Sequence, residues 1–165
     1  MPPRPFSPGT QDEAFLRRAL ELAQENVAKG DGGPFGAVIV QDGRIIAEGW
    51  NKVIATHDPT AHAEIEAIRA ACRQIQHFHL SGATLYASSE PCPLCLAAAY
   101  WAKVARIVYA NDRNEAAAVG FCDDDLYQEF RLPPESRRIP CQHLNLKDAS
   151  APFEAWRKSP RKQNY

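Results

Sequence analysis

The sequence predicts an α/β domain, a mixed sheet with helices on both faces. Two observations carry that prediction. Segments of helical and strand periodicity follow one another as helix, hairpin, helix, strand, helix, strand. The stretch "GAVIVQDGRIIAEGW" sets two Val- and Ile-rich runs around Asp42-Gly43, a dipeptide favoured in tight hairpin turns. At 165 residues, 45% of them hydrophobic and 24% charged, the chain is long enough for one domain with a proper core.

Taken in order, residues 1–10 read as a flexible, Pro-rich lead-in and 11–165 as a single domain. From Gln11 to Lys29, apolar residues at Phe15, Ala19, Leu22, Ala23 and Val27 recur at helical spacing, and "KGDGGPFG" ends the helix. The hairpin follows. Asp58-Pro59 then suits a helix start, a capping side chain followed by a residue that needs no amide donor, and this helix carries His62 to about Gln74. "ATLYASS" reads as a strand, Pro91 to Trp101 as a helix, "ARIVYA" as a strand and Glu115 to Val119 as a short helix. Beyond Gly120 the pattern weakens. "FCDDDLYQEF" mixes acids with aromatics, "RLPPESRRIP" reads as a loop, "CQHLNL" as a fifth strand and "APFEAWRK" as a last helix.

A net charge of −1 gives no electrostatic reason to expect a polyanion partner, and the basic tail "RKSPRKQNY" reads as a solvated terminus. No secretory signal is expected from "MPPRPFSPGT", which lacks an apolar run. The most apolar stretch, Leu94 to Ala110, is interrupted by Lys103 and Arg106, so no membrane association is expected. A cytoplasmic, reducing location follows, where five cysteines favour metal binding over disulfides.

The chemistry concentrates in "PTAHAEIEAIRAAC" and "SSEPCPLCLAAAYWA". Cys92 and Cys95 lie three apart at a helix start, where both sulfurs share a face and the helix dipole favours thiolates. His62 stands at the start of another helix. Three ligands of mixed nitrogen and sulfur type suit zinc with a fourth position open, which would bring the pKa of a coordinated water toward about 7. Cys72, ten residues along from His62 and so about 15 Å away on one helix, is a poor fourth ligand. Cys122 and Cys141 stay open as fourth ligands, which would make the site structural. Spacing alone does not choose the nearby acid. Glu66 shares a face with His62, and Glu64 approaches from a different direction.

His-x-Glu followed by Pro-Cys-x-x-Cys, here "HAE" at 62–64 and "PCPLC" at 91–95, resembles the signature of the zinc-dependent nucleobase deaminases. Within that superfamily, "GGPFGAVIVQDGRIIAEGWN", "DPTAHAE", "EPCPLC", "YWA", "GFCDDDLYQE", "PFEAWR" and the final Tyr165 resemble the small bacterial guanine deaminases, over nearly the whole chain. The resemblance implies the three-layer α/β/α cytidine deaminase-like fold with a central mixed sheet of about five strands. It implies one zinc ion per subunit held by His62, Cys92 and Cys95, with Glu64 as the proton shuttle. Phe35, Asn51 and Trp101 match positions around the base, and the amide of Ala63, from its position between His62 and Glu64, is expected to donate to the bound ring. Asp123 matches a second acid, with Asp124, Asp125 and Glu129 as alternatives.

The reaction so implied is hydrolysis of guanine to xanthine and ammonia. The substrate would be a small molecule, a free purine or a guanine-like aminotriazine, and not a nucleic acid. Tyr165 would close the site of the partner in a homodimer that exchanges its C-terminal part, about residues 120–165. Two other readings remain at this stage: a deaminase acting on adenosine or cytidine in transfer RNA, and a non-catalytic scaffold stabilised by zinc.

Overall fold

The computed structural model describes residues 10–165, so the expected lead-in lies outside the described residues except for Thr10. The chain falls into two compact units, one ending at Asp123 and the other Asp124–Tyr165.

In the first unit, α1 (Thr10–Lys29) precedes the hairpin of β1 (Gly36–Gln41) and β2 (Arg44–Trp50). Asp42 and Gly43 take φ of 50° and 72°, the paired positive values that a two-residue hairpin turn requires. A short helix, α2 (Val53–Thr56), and then α3 (Ala63–Ile75) lead to β3 (Thr84–Ser89), α4 (Pro93–Trp101), β4 (Arg106–Asn111) and α5 (Arg113–Ala118). The sheet order is β2-β1-β3-β4, antiparallel except for the parallel β3–β4 pair that α4 connects.

β1 is buried on both faces, which explains its unbroken apolar run. Ala37 and Ile39 face a core formed with Ala63, Ala67, Ala71 and Leu85. Val38 and Val40 face a second core with Leu22 of α1, Tyr86 and Val108. The helices therefore sandwich the sheet, and the three-layer expectation holds. Small residues set the spacing of α3. A β-carbon at Gly49 would overlap the backbone at Ala63 and Ala67, so α3 lies directly on β2 with its first turn fixed against the strand.

Among the described residues the sheet has four strands and not five. "CQHLNL" lies in the second unit, where it is fully exposed and forms no strand, because no neighbouring strand is there to accept its ladder bonds. That unit contains α6 (Asp124–Arg131), a helix not expected from the sequence, a single 3-10 turn at Pro134–Ser136 and α7 (Ala151–Lys158), the expected last helix. None of its residues is fully buried. Among the described residues, no helix is long and apolar enough to cross a membrane.

Candidate active site

Two helix starts meet at the end of β3. Asp58-Pro59 does not open α3 as expected. Asp58 instead accepts bonds from the backbone and hydroxyl of Thr60, which makes a turn, and His62 becomes the N-cap with an extended backbone (φ −71°, ψ 156°). Cys92 is likewise the N-cap of α4 (φ −64°, ψ 169°), one residue before Pro93 at the first helical position. Both ligands thus sit where helix dipoles end, and neither is inside a helical turn.

The Nδ1 atom of His62 lies 3.5 Å from the Sγ of Cys92 and 3.5 Å from that of Cys95. The three donor atoms fall within 4.8 Å of one another, and they form the only such His, Cys, Asp or Glu group among the described residues. Their charges suit a cation. The Cys92 thiol is lowered to about 4 by its bonds to Cys95 and His62, whereas Cys95 is pushed up by its bond to Cys92, by burial and by the charges of Cys92 and Glu64. Positive charge from a divalent ion would favour ionisation of the second sulfur. One nitrogen and two sulfurs in this arrangement fit zinc.

The two candidate acids separate clearly. Glu66 pairs with Lys52 at 3.2 Å and Arg69 at 3.3 Å, a surface role. Glu64 is buried, lines the cavity beside His62 and Cys92, and is raised to about 7 by desolvation. A carboxyl poised near neutrality is suited to proton transfer in both directions.

That cavity measures about 640 Å³ and is lined also by Phe35, Asn51 and Asp123. Asp123 is held above the usual carboxylate range by burial and by the nearby Cys92 charge. Asp125 and Glu129 instead pair with Arg138 within the second unit. Ala63 is fully buried at the first position of α3 but does not line the cavity. Trp101 is 65% exposed at the end of α4, neither packed in the core nor among the lining residues. Tyr165 belongs to the second unit and is 69% exposed.

Several lining residues escaped the sequence reading. Phe121 meets Phe35 edge-to-face, with ring centroids 4.8 Å apart, and completes an apolar wall. The only signal for it was its place beside the acidic run. Ser89 contributes a buried hydroxyl with no partner among the described residues. Glu90 accepts from the backbone amide of Arg113 at 3.1 Å and from its guanidinium at 2.6 Å, which ties the β3–α4 junction to α5. Val27, expected on the buried face of α1, is exposed on the cavity rim.

Residues 9–111 match the family model described as cytidine and deoxycytidylate deaminase zinc-binding region. Guanine deaminase of Bacillus subtilis is 50% identical over 153 residues, 93% of this chain and 98% of that protein. An X-ray structure of guanine deaminase from Bacillus subtilis superposes with a TM-score of 0.91 at 50% identity, covering 93% of this chain and 98% of that one. The tRNA-specific adenosine deaminase of Haemophilus influenzae is 44% identical over 118 residues, 68% of each chain. A structure solved in complex with 2,6-diaminopurine is 35% identical with a TM-score of 0.65, covering 68% of this chain and 62% of that one. The chain belongs to the cytidine and deoxycytidylate deaminase zinc-binding family, as a zinc-dependent aminohydrolase on its guanine deaminase branch.

Proposed function

We propose that the protein hydrolyses guanine to xanthine and ammonia. The observation that carries this reading is the extent of the similarity. The match to guanine deaminase runs over 93% of the chain at 50% identity, whereas the tRNA-specific adenosine deaminases of Haemophilus influenzae and Aquifex aeolicus match 68% of it at 44% and 84% of it at 34%. A similar structure holding 2,6-diaminopurine, a purine with an amine on ring carbon 2, agrees with a free base as substrate. The scaffold reading requires a fourth ligand, and among the described residues no Cys, His, Asp or Glu joins His62, Cys92 and Cys95 within 4.8 Å.

Zinc held by these three residues supplies the Lewis acidity that makes water a nucleophile at neutral pH. Glu64 takes a proton from the attacking water and delivers it to a ring nitrogen as carbon 2 becomes tetrahedral. A second transfer, through Glu64 or Asp123, carries the proton of the hydroxyl added at carbon 2 to the departing amine, so that the carbonyl forms as the C–N bond breaks and guanine and water become xanthine and ammonia. Phe35 packs against the flat base and Asn51 hydrogen-bonds its edge. In this reading the backbone amide of Ala63, at a helix start beside His62 and Glu64, donates to the bound ring.

The active form is a homodimer in which the C-terminal part, with Tyr165, is exchanged. In support, the second unit buries none of its own residues, and Leu94, Tyr100 and Trp101 leave an apolar face on α4. Trp101 belongs to that assembly. Five unpaired cysteines support a cytoplasmic location.

The test is ammonia release from guanine, adenine, cytosine and guanosine by zinc-loaded protein, beside Glu64→Ala. Turnover of guanine that is abolished in the variant while zinc is retained is the expected result. Turnover of another base in place of guanine would keep the site and overturn the substrate. Deamination of transfer RNA alone would favour the adenosine deaminase reading.

A further inference from the structure

We propose that Asn26, on α1, is a positioning residue for base recognition: it fixes the loop that orients Asn51. The inference rests on the reading of Asn51 as the residue that meets the purine edge. Asn26 is fully buried and does not line the cavity. Its Nδ2 donates to the carbonyl of Gly33 at 2.8 Å and to the carbonyl of Asn51 at 2.9 Å. The amide of Gly33 in turn donates to Oδ1 of Asn51 at 3.2 Å, and the amide of Val53 donates to the same oxygen at 3.2 Å. Asn26, Gly33 and Asn51 therefore close a ring of hydrogen bonds.

This ring has a consequence for chemistry. Two backbone donors occupy Oδ1 of Asn51, an oxygen with two lone pairs, so the side chain turns its Nδ2 to any ligand. Asn51 is thereby made a donor and recognises an acceptor on the base, such as a carbonyl oxygen or an unprotonated ring nitrogen. Asn26 sets both strands of this arrangement from outside the cavity. Its own Oδ1 is buried with no partner among the described residues. An unpaired buried acceptor is costly, and the side chain that carries it is the one whose two N–H groups fix the loop. Few other side chains could do this. An apolar residue leaves two carbonyls without their donor, an aspartate faces them with oxygen, and a serine reaches at most one.

The experiment measures kcat and KM for guanine, zinc content and melting temperature for the full-length protein and for Asn26→Ala, Asn26→Ser, Asn51→Ala and the double variants. Assays run well below each melting point. The expected result for Asn26→Ala is a KM raised about tenfold with kcat within about threefold and full zinc. Asn26→Ser should fall between it and the parent. In the Asn51→Ala background, the Asn26 substitutions should change KM by less than about twofold, because the residue they act through is gone.

A purely structural Asn26 would lower the melting temperature without this split and without this loss of effect. A parent-like KM in Asn26→Ala, or effects that multiply in the double variant, would overturn the inference. Should Asn26→Ala not fold, Asn26→Ser and its double variant decide by the same criteria. Guanine turnover whose KM is insensitive to Asn51→Ala would overturn the role of Asn51 and the inference with it. Absence of any guanine turnover by the parent would overturn the proposed reaction as a whole.

Discussion

Gly32 and Asn51 are packed so closely that a β-carbon on Gly32 would overlap Oδ1 of Asn51 and come within 2.8 Å of its carbonyl oxygen. No side chain larger than hydrogen fits while Asn51 keeps its position. Gly32→Ala should therefore displace Asn51, raise the KM for guanine about tenfold and cost about 1–3 kcal/mol of stability through overpacking. His62, Cys92 and Cys95 lie in other elements, so zinc content should stay full. Steady-state kinetics, metal analysis and a thermal melt check the three parts separately. A parent-like KM would show that the Gly32 loop does not control Asn51.

The metal set allows a sharper contrast. Cys122 and Cys141 are both exposed, and neither joins His62, Cys92 and Cys95. Cys122→Ser and Cys141→Ser should each retain one zinc ion per chain and melt within about 1 °C of the parent, as substitutions at exposed positions do. Cys95→Ser, at a fully buried ligand, should lose zinc under mild chelation and melt lower, since an ion that binds only the folded state stabilises it. Loss of zinc in either exposed variant would point to a fourth ligand and a structural site.

How far the sequence could carry these conclusions depended on where the deciding force was local. The hairpin was readable because Asp42-Gly43 fixes the turn through its own backbone preferences. Cys92 and Cys95 were readable from their spacing alone, and His62 and Glu64 from a motif. The choice of Glu64 over Glu66 was not open to spacing, because it is decided by which carboxyl the fold buries and which it gives to Lys52 and Arg69. Asn26 and Phe121 were invisible for a related reason. Their roles arise from partners brought to them by tertiary packing, Gly33 and Asn51 in one case and Phe35 in the other. The expected strand at "CQHLNL" failed because alternation shows only that a segment could pair, not that a neighbouring strand exists. α6 did carry an apolar stripe, with Leu126, Tyr127 and Phe130 at helical spacing behind an acidic first turn, but eight residues make too short a window for that period to stand out from the mix of acids and aromatics.

Acid stability should depend in part on Glu48. Arg18 reaches from α1 to β2, its Nε 2.8 Å from Oε1 of Glu48 and a second nitrogen 3.0 Å from Oε2, and these bonds lower the Glu48 carboxyl below its ordinary 4.5. A carboxyl lowered in the folded state contributes stability that is fully present above its unfolded pKa and lost as pH falls through the folded value. Glu48→Gln should thus melt lower than the parent at pH 7, and the gap should close below about pH 4.5. Both side chains are about a third exposed, so the gap should stay within about 1 kcal/mol. Arg18 keeps Glu21 and Glu25 as partners in the variant, which limits the loss further. Melting curves between pH 3 and pH 8 test this. A gap constant across the range would assign the effect to packing and not to charge.

The proposed exchange of the C-terminal part can be decided by pairing two impaired chains. Tyr165→Ala should lower guanine turnover by a factor of about 10 to 100, as expected for loss of a group that closes a site and excludes water, while leaving zinc unchanged. Glu64→Ala should be inactive for a different reason. If each site takes Glu64 from one chain and Tyr165 from the other, a mixed dimer of these variants places both defects in one site and leaves the second site intact. Unfolding the two together and refolding at equal amounts makes about half of the dimers mixed, so about a quarter of the sites, and a quarter of parental turnover, should return. Without exchange, every site in the mixed dimer carries one defect and no activity returns beyond that of Tyr165→Ala itself. Because the recovered activity requires Tyr165 of one chain to serve Glu64 of another, the measurement separates exchange from mere dimerisation.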